Sequence, residues 1–163
     1  MATGSKDWYQ AAPVKSLLQL LREGNAYSRY TSISASVGNY TFVQLINPAS
    51  SGMNIYLNNI TARPDTACIL YLLQTTETPV GVNYGANNRK IGGDTSVAGI
   101  GPRYDNAISG ADKLDFYDAG ANETVVFPYV DIWIPEGYKI EVATDSLNTW
   151  LQISFSWYEF VDY

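Results

Sequence analysis

The longest regular pattern in the chain is a strict alternation of apolar and polar residues near its C-terminal end. Large apolar residues alternate with small or uncharged polar ones, Leu151, Ile153, Phe155 and Trp157 against Gln152, Ser154 and Ser156. A period of two places the two sets on opposite faces of a β-strand. Because a shift of one residue would turn both aromatic rings to solvent, the register of this strand is well determined.

The same signal recurs in other segments, which are separated by turns rich in Gly, Pro, Asn and Ser. Residues 53–57 and 138–142 alternate in the same way, and residues 67–75 are apolar on both faces, which is typical of a central strand. Seven to nine such strands predict an all-β protein, an antiparallel β-sandwich. The long loops favour a jelly-roll-like order, although another Greek-key order fits the sequence as well.

The first 24 residues differ from the rest of the chain. Residues 1–12 show no periodicity and predict an extended arm that carries Trp8 and Tyr9. Pro13 suits the first position of a helix and Gly24 suits a left-handed stop, so one short helix is expected between them. We therefore divide the chain into an arm with a helix (1–24) and a single sandwich domain (25–163). The candidate partner-binding residues are the two arm aromatics and the leucine face of the helix, namely Trp8, Tyr9, Leu17, Leu20 and Leu21.

Residues 77–122 form a Gly- and Asn-rich stretch that predicts a long loop region, with two candidate short strands at 96–100 and 114–117. Loops of this length in a compact domain are usually functional or disordered. An aromatic, amide and charged group in this region suits sugar binding or a protein interface. Its members are Tyr84, Asn87, Asn88, Arg89, Tyr104 and Asp105.

Composition excludes several classes of function. The chain has 10 Lys and Arg against 16 Asp and Glu, a net charge of −6 that argues against binding to nucleic acid. It has no histidine, which removes Ser–His and Cys–His catalysis and nearly every zinc site. No apolar run is long enough for a transmembrane helix, and the N-terminus lacks the apolar stretch of a signal peptide. The lone Cys68 cannot form an intrachain disulfide and is expected to be a buried, inert thiol.

Carboxylates offer only weak candidates for chemistry. Asp112, Asp115 and Asp118 recur every third residue in a Gly-rich stretch and could supply oxygen ligands to Ca²⁺, although solvated loop acids explain them more simply. Asp131, Glu141 and Glu159 could include the acid pair of a glycoside hydrolase. Each alternates with core residues, so a solvent-exposed outer face is the simpler interpretation. We therefore expect no enzyme activity and no cofactor.

Three segments resemble small β-sandwich accessory proteins of tailed-bacteriophage virions. They are the strand–turn–strand over residues 43–57, the turn Pro135-Glu136-Gly137, and Phe155-Ser156-Trp157-Tyr158-Glu159. The proteins that they resemble are head-decoration (cement) proteins and related tail or neck components. The similarity covers residues 40–60 and 125–160 and leaves 77–122 unaccounted for.

This resemblance implies a non-enzymatic structural protein of the virion, assembled in the host cytoplasm. The implied form is a homo-oligomer, a trimer, seated on the major capsid protein or another virion protein, with no membrane or nucleic-acid partner. Proteins of this kind commonly contact the lattice through an N-terminal segment, so residues 1–12 and the leucine face are candidates by position. Two alternatives stay open, a tail, neck or baseplate component, and a carbohydrate- or receptor-binding module that uses 77–122.

Overall fold

The computed structural model describes residues 19, 23–34, 37–84, 87–88, 93–108, 112–127 and 130–161 of the chain. Twelve strands lie within these residues. They are β1 (Ala26–Ser34), β2 (Tyr40–Ile46), β3 (Asn54–Pro64), β4 (Cys68–Gln74), β5 (Asn83–Tyr84), β6 (Asn87–Asn88), β7 (Gly99–Asp105), β8 (Asp112–Ala119), β9 (Val125–Val126), β10 (Ile132–Ile134), β11 (Lys139–Thr144) and β12 (Trp150–Phe160).

The strands form two antiparallel sheets that pack against each other as a β-sandwich. Sheet A has the order β10-β3-β12-β1-β6, with β9 also paired to β3, and sheet B has the order β5-β7-β2-β11-β4-β8. Within sheet A, β1 pairs with β12 and β3 pairs with β10, and within sheet B, β2 pairs with β11 and β4 pairs with β8. This nested pairing of first strand with last is the jelly-roll order. The predicted all-β sandwich is confirmed.

The core lies between the inner faces of the two sheets. Strand β12 occupies the middle of sheet A, paired with β1 over nine residues and with β3 on its other side. Leu151, Phe155 and Trp157 are fully buried, so the predicted register of this strand is confirmed. The ring of Tyr27 stacks on that of Trp157 with centroids 6.2 Å apart.

Part of the predicted N-terminal helix falls within the described residues. Gln19 and Glu23 have helical backbone, and the Gln19 amide donates a hydrogen bond of 3.1 Å to the Glu23 carboxylate. Gly24 has a φ of 85°, the left-handed conformation predicted for the helix stop. The candidate contact residues Trp8, Tyr9, Leu17, Leu20 and Leu21 lie outside the described residues. No helix in the described part of the chain has the length and apolar character needed to cross a membrane.

Two long strands of sheet B lie in the predicted loop region 77–122. The candidate short strand 114–117 falls within β8, and the candidate 96–100 overlaps the start of β7, whereas the rest of both strands was predicted as loop. Strand β7 pairs with β2 over seven consecutive residues, and β8 pairs with β4 and forms an edge of sheet B. The region is therefore an insertion between β4 and β8 that carries β5, β6 and β7 and ends in one of the eight jelly-roll strands.

Gly101 and Pro102 made β7 resemble a loop in the sequence, yet both have a place in a strand. A Cβ atom on Gly101 would lie 2.2 Å from the Gly81 carbonyl oxygen, so only glycine allows residues 79–81 to cross this strand. The Pro102 carbonyl accepts a 2.8 Å hydrogen bond from the Val80 amide. The backbone nitrogen and carbonyl of one strand residue point to the same side of the strand. Since the Pro102 carbonyl points to Val80, its nitrogen also points away from β2, and the missing N–H group removes no hydrogen bond between β7 and β2.

Candidate binding groove

The sandwich is open along one side, between the edge strand β8 of sheet B and the edge strand β10 of sheet A. A groove of about 650 Å³ lies there. Leu72 and Ile140 line it from sheet B, and Ile132 and Ile134 line it from sheet A. Its size and mostly apolar lining are typical of a site for a small molecule or for an anchoring side chain of a protein partner.

Two tyrosine–aspartate pairs lie at this open side. The Tyr117 hydroxyl donates a 2.5 Å hydrogen bond to Asp115 Oδ2, and the Tyr56 hydroxyl donates a 2.6 Å hydrogen bond to Asp131 Oδ1. Burial, followed by the bond to Asp115, raises the pKa of Tyr117 to about 12. The bond to Asp131, followed by burial, raises the pKa of Tyr56. Both hydroxyls therefore remain protonated donors at neutral pH, and each carboxylate keeps a defined orientation.

The residues that line the groove include three large side chains that are about half exposed, Leu114, Trp133 and Tyr138. The Trp133 ring packs edge-on against Phe160, with centroids 4.7 Å apart, so its orientation is fixed in the free protein. A cluster of exposed apolar side chains beside a cavity marks an interaction surface.

Strand β8 is a poor template for the addition of another strand. Its pairing with β4 shifts register between Leu72 and Leu73. Leu72 pairs with Asp115 and Leu73 pairs with Lys113, so Leu114 has no partner residue on β4. A bulge and charged side chains are the usual protection of an exposed edge. A partner at this edge is therefore expected to contact side chains rather than extend the sheet.

The three candidate calcium ligands do not converge. Asp112, Asp115 and Asp118 all belong to β8, where the chain is extended rather than looped. Asp115 faces Leu72, on the inner side of sheet B, whereas Asp118 faces Ile69 on the outer side. Within the described residues, no three side chains of the metal-binding types come together. Because of the register shift in β8, Asp112 lies opposite Gln74 on the same side as Asp115, so only Asp118 is directed to the other side of the sheet.

The aromatic, amide and charged group of the insertion is also spread over different surfaces. Tyr84 lies on β5 in sheet B, whereas Asn87 and Asn88 lie on β6 in sheet A. Tyr104 and Asp105 are neighbours on β7 and therefore face opposite sides of sheet B. Asp105 accepts a 2.9 Å hydrogen bond from Arg103 and a 3.3 Å bond from the Ala107 amide, so its role is structural. Arg89 lies outside the described residues.

Sequence reasoning missed a buried ion pair on the outer face of sheet B. Glu141 is 0% exposed and Arg103 is 5% exposed. Two guanidinium nitrogens of Arg103 donate to the Glu141 carboxylate at 2.8 and 3.2 Å, and the Gln44 amide donates to it at 3.0 Å. The guanidinium carbon lies 3.7 Å from the centroid of the Phe42 ring. The expectation that Glu141 is solvent-exposed is wrong.

The insertion contributes to the burial of this ion pair. The Gln44 amide also donates to the carbonyl of Glu77, in the segment that follows β4, at 3.2 Å. The segment therefore lies over the part of the outer face of sheet B that holds Gln44 and Glu141, where the alternation along β11 alone predicts solvent. One signal was present in the sequence, since Arg103 is the only Lys or Arg between residues 91 and 112.

Glu159 is a second buried carboxylate that was expected on an outer face. It is 1% exposed and accepts hydrogen bonds from the amides of Val97 and Ala98, each at 3.1 Å, and from the Trp157 indole at 3.0 Å. The Ser96 hydroxyl also donates to it. Because Glu159 lies two residues after Trp157, it shares the inner face, and the period of two could have revealed this. Glu159 thereby ties the insertion to β12.

Comparisons with known proteins give no identification, since no protein-family model and no curated protein matches the chain.

Proposed function

We propose that this chain is a non-enzymatic structural protein of a bacteriophage virion, which decorates or cements the capsid lattice as a homo-oligomer. Two lines of argument support the proposal, the resemblance of residues 40–60 and 125–160 to virion accessory proteins and the jelly-roll sandwich. Jelly rolls occur in viral capsid and lectin domains, so the fold supports the proposal by analogy.

The observation that carries the proposal is the apolar groove between β8 and β10. Its half-exposed Leu114, Trp133 and Tyr138 surround a cavity that reaches core side chains. Aromatic residues in such positions are typical anchors of protein interfaces. Only 16% of the chain is charged, so contacts of this surface are expected to tolerate salt better than ion pairs would. We assign the groove to contacts between copies of the chain.

The N-terminal arm would then be free to contact the lattice. A trimer that places three arms on equivalent lattice sites gains avidity on the order of 10²–10⁴ without tighter single contacts. The same division of labour would serve a tail, neck or baseplate component, and retention on purified heads or tails distinguishes the two locations.

The test is the solution mass of the full chain, measured by light scattering, with and without residues 1–12. We expect a trimer in both cases. Tyr138→Asp places a charge in the groove and should reduce the mass to that of a monomer with little change in the thermal melt. Phe116→Asp is the matched control, since Phe116 is 62% exposed but lies opposite Tyr71, on the outer side of sheet B and outside the groove. A monomeric full chain, or an unchanged mass in Tyr138→Asp, would contradict the proposal.

A further inference from the structure

The outer face of sheet A carries an unusual set of side chains. The register of β1, β12 and β3 directs two groups of residues to this side. One end of the face carries Ala26, Asn54, Tyr56, Tyr158 and Phe160, and the rest carries a polar group, namely Ser28, Tyr30, Ser32, Ser34, Asn59, Thr61, Arg63, Trp150, Gln152, Ser154 and Ser156. We call the polar group the neutral face, because Arg63 is its only charged member. The chain has 16 acidic residues, and none of them stands at these positions.

A face that only contacts water normally carries interspersed charges of both signs. Hydroxyl and amide groups differ from charges in that each can both donate and accept hydrogen bonds. This is the property that matches the hydroxyl groups of a sugar. Charged polymers, by contrast, find almost no counter-charge on this face.

The centre of the neutral face has the form of a sugar subsite. A shallow depression of about 200 Å³ lies across β1, β12 and β3. Its lining includes Tyr30, Thr61, Arg63, Gln152 and Ser154. Tyr30 is 60% exposed, so its ring is available as a flat apolar platform with a polar tip.

We propose that the neutral face binds an uncharged glycan. One pyranose ring stacks on Tyr30, and its hydroxyl groups exchange hydrogen bonds with Thr61, Gln152 and Ser154. Trp150 lies four residues from Ser154 on β12, about 13 Å along the strand. An extended oligosaccharide that follows β12 therefore reaches a second aromatic side chain.

A second copy of this chain is a poorer occupant of the same face. The cores of protein interfaces are enriched in aromatic residues, methionine and arginine and depleted in serine, whereas serine is the commonest residue of the neutral face. The groove between β8 and β10 has the composition that protein contacts favour. Glycan binding on sheet A thus adds a function to the proposed structural role and uses a different surface.

The experiment is native affinity electrophoresis of the full chain in gels that contain mannan, galactan, xylan or dextran, with anionic alginate as the charged comparison. We expect retardation by at least one neutral polysaccharide and none by alginate. Tyr30→Ala should weaken the retardation by about tenfold or more, since it removes the stacking platform. Phe116→Ala is the matched control, because it removes an equally exposed ring from the other sheet and should bind as the unchanged chain does.

Three outcomes would overturn the inference. They are no retardation in any of the four neutral gels, equal retardation of Tyr30→Ala and the unchanged chain, and a fall in solution mass in Tyr30→Ala. The last outcome would make the neutral face an interface between copies. Because the structural proposal depends on Tyr138 and the groove, failure of glycan binding leaves that proposal intact, and each can fail alone.

Discussion

The outer faces of the two sheets differ in charge and in cover. On sheet B the part of the face around Gln44 carries the Arg103–Glu141 pair and is buried, with the segment that follows β4 lying over it, whereas Phe116 on the edge strand β8 is exposed. On sheet A the neutral face is open, with Tyr30 60% exposed, and Arg63 is the only charged residue among its members. The covered part of sheet B thus holds a paired, buried charge, whereas the neutral face, which solvent reaches, holds one charged residue.

This difference shows that alternation along a strand predicts which face of the sheet a residue occupies, but not whether that face is exposed to solvent. The exposure of the outer face depends on whether a segment from elsewhere in the chain covers it. Once that face is covered, a charge can remain only if a partner and further hydrogen bonds compensate its loss of water. Glu141 has Arg103 and Gln44 for this purpose.

The largest effect is expected where a buried charge loses its partner. Arg103→Leu leaves Glu141 buried without a cation and should lower the free energy of unfolding by about 3–5 kcal/mol, as measured by urea denaturation. Arg63→Leu removes an exposed arginine from the neutral face and should change it by no more than about 0.5 kcal/mol.

The double variant Arg103→Leu with Glu141→Leu tests whether the loss of stability in Arg103→Leu comes from the unpaired charge of Glu141. Because apolar residues often replace a buried ion pair without loss, it should recover most of the stability of the single variant. A loss below about 1 kcal/mol in Arg103→Leu alone would mean that water reaches Glu141 and that sheet B is not covered as described.

The second effect concerns the anchor of the insertion on β12. Glu159→Gln replaces one of the two acceptor oxygens with an NH2 group, which cannot accept the hydrogen bond of Val97 or of Ala98, and should cost about 2–3 kcal/mol. Amide hydrogen exchange at residues 96–98 should accelerate, because this carboxylate ties them down. The exposed Glu123, which accepts a 2.7 Å bond from the Gly120 amide, provides the control Glu123→Gln, with little change expected.

A smaller effect is expected where the insertion crosses β7. Gly101→Ala forces apart the strand and the backbone of residues 79–81 and should cost about 1–3 kcal/mol. Gly81→Ala adds the same methyl group where nothing lies within 4 Å and should be neutral or slightly stabilising. Equal melting temperatures for the two variants would show that the crossing is not a close one.

The smallest effect on stability is expected at alkaline pH and involves Tyr27, on the inner side of sheet A. Burial, followed by the charge of Glu159, raises the pKa of Tyr27 from 10.0 to about 12. Since the folded pKa lies above the unfolded one, this stabilisation is complete below pH 10 and is lost as the pH rises through 12. Tyr27→Phe keeps the ring and should flatten the fall in melting temperature between pH 9 and pH 12. Parallel curves for the two proteins would exclude this contribution.

Local patterns predicted the parts of the fold that depend on neighbouring residues. The inward set of β12 and the left-handed Gly24 follow from period and from glycine chemistry, and both are confirmed. The burial of Glu141 depends in part on a segment that follows residue 74. Position 101 requires glycine because the carbonyl oxygen of Gly81 lies 2.2 Å from where a Cβ atom would be. Such non-local causes leave no periodic trace, which explains why the sequence predicts a strand only at the start of β7 and a loop over the rest of it.

The candidate site was even less accessible to sequence reasoning. The groove exists because β8 and β10 are the free edges of two different sheets. Its residues Leu114 and Trp133 stand in segments with no shared motif. Only the nested pairing of strands brings them to the same side of the sandwich.

That nested pairing also has a consequence for biosynthesis. Strand β12 lies between β1 and β3, so sheet A has an open slot until residues 150–160 have left the ribosome. The earliest and latest parts of the domain must meet, which favours slow folding after synthesis rather than stepwise folding during it. A nascent chain that stalls before residue 150 presents two unpaired strand edges beside an uncovered core, the state in which aggregation competes with folding.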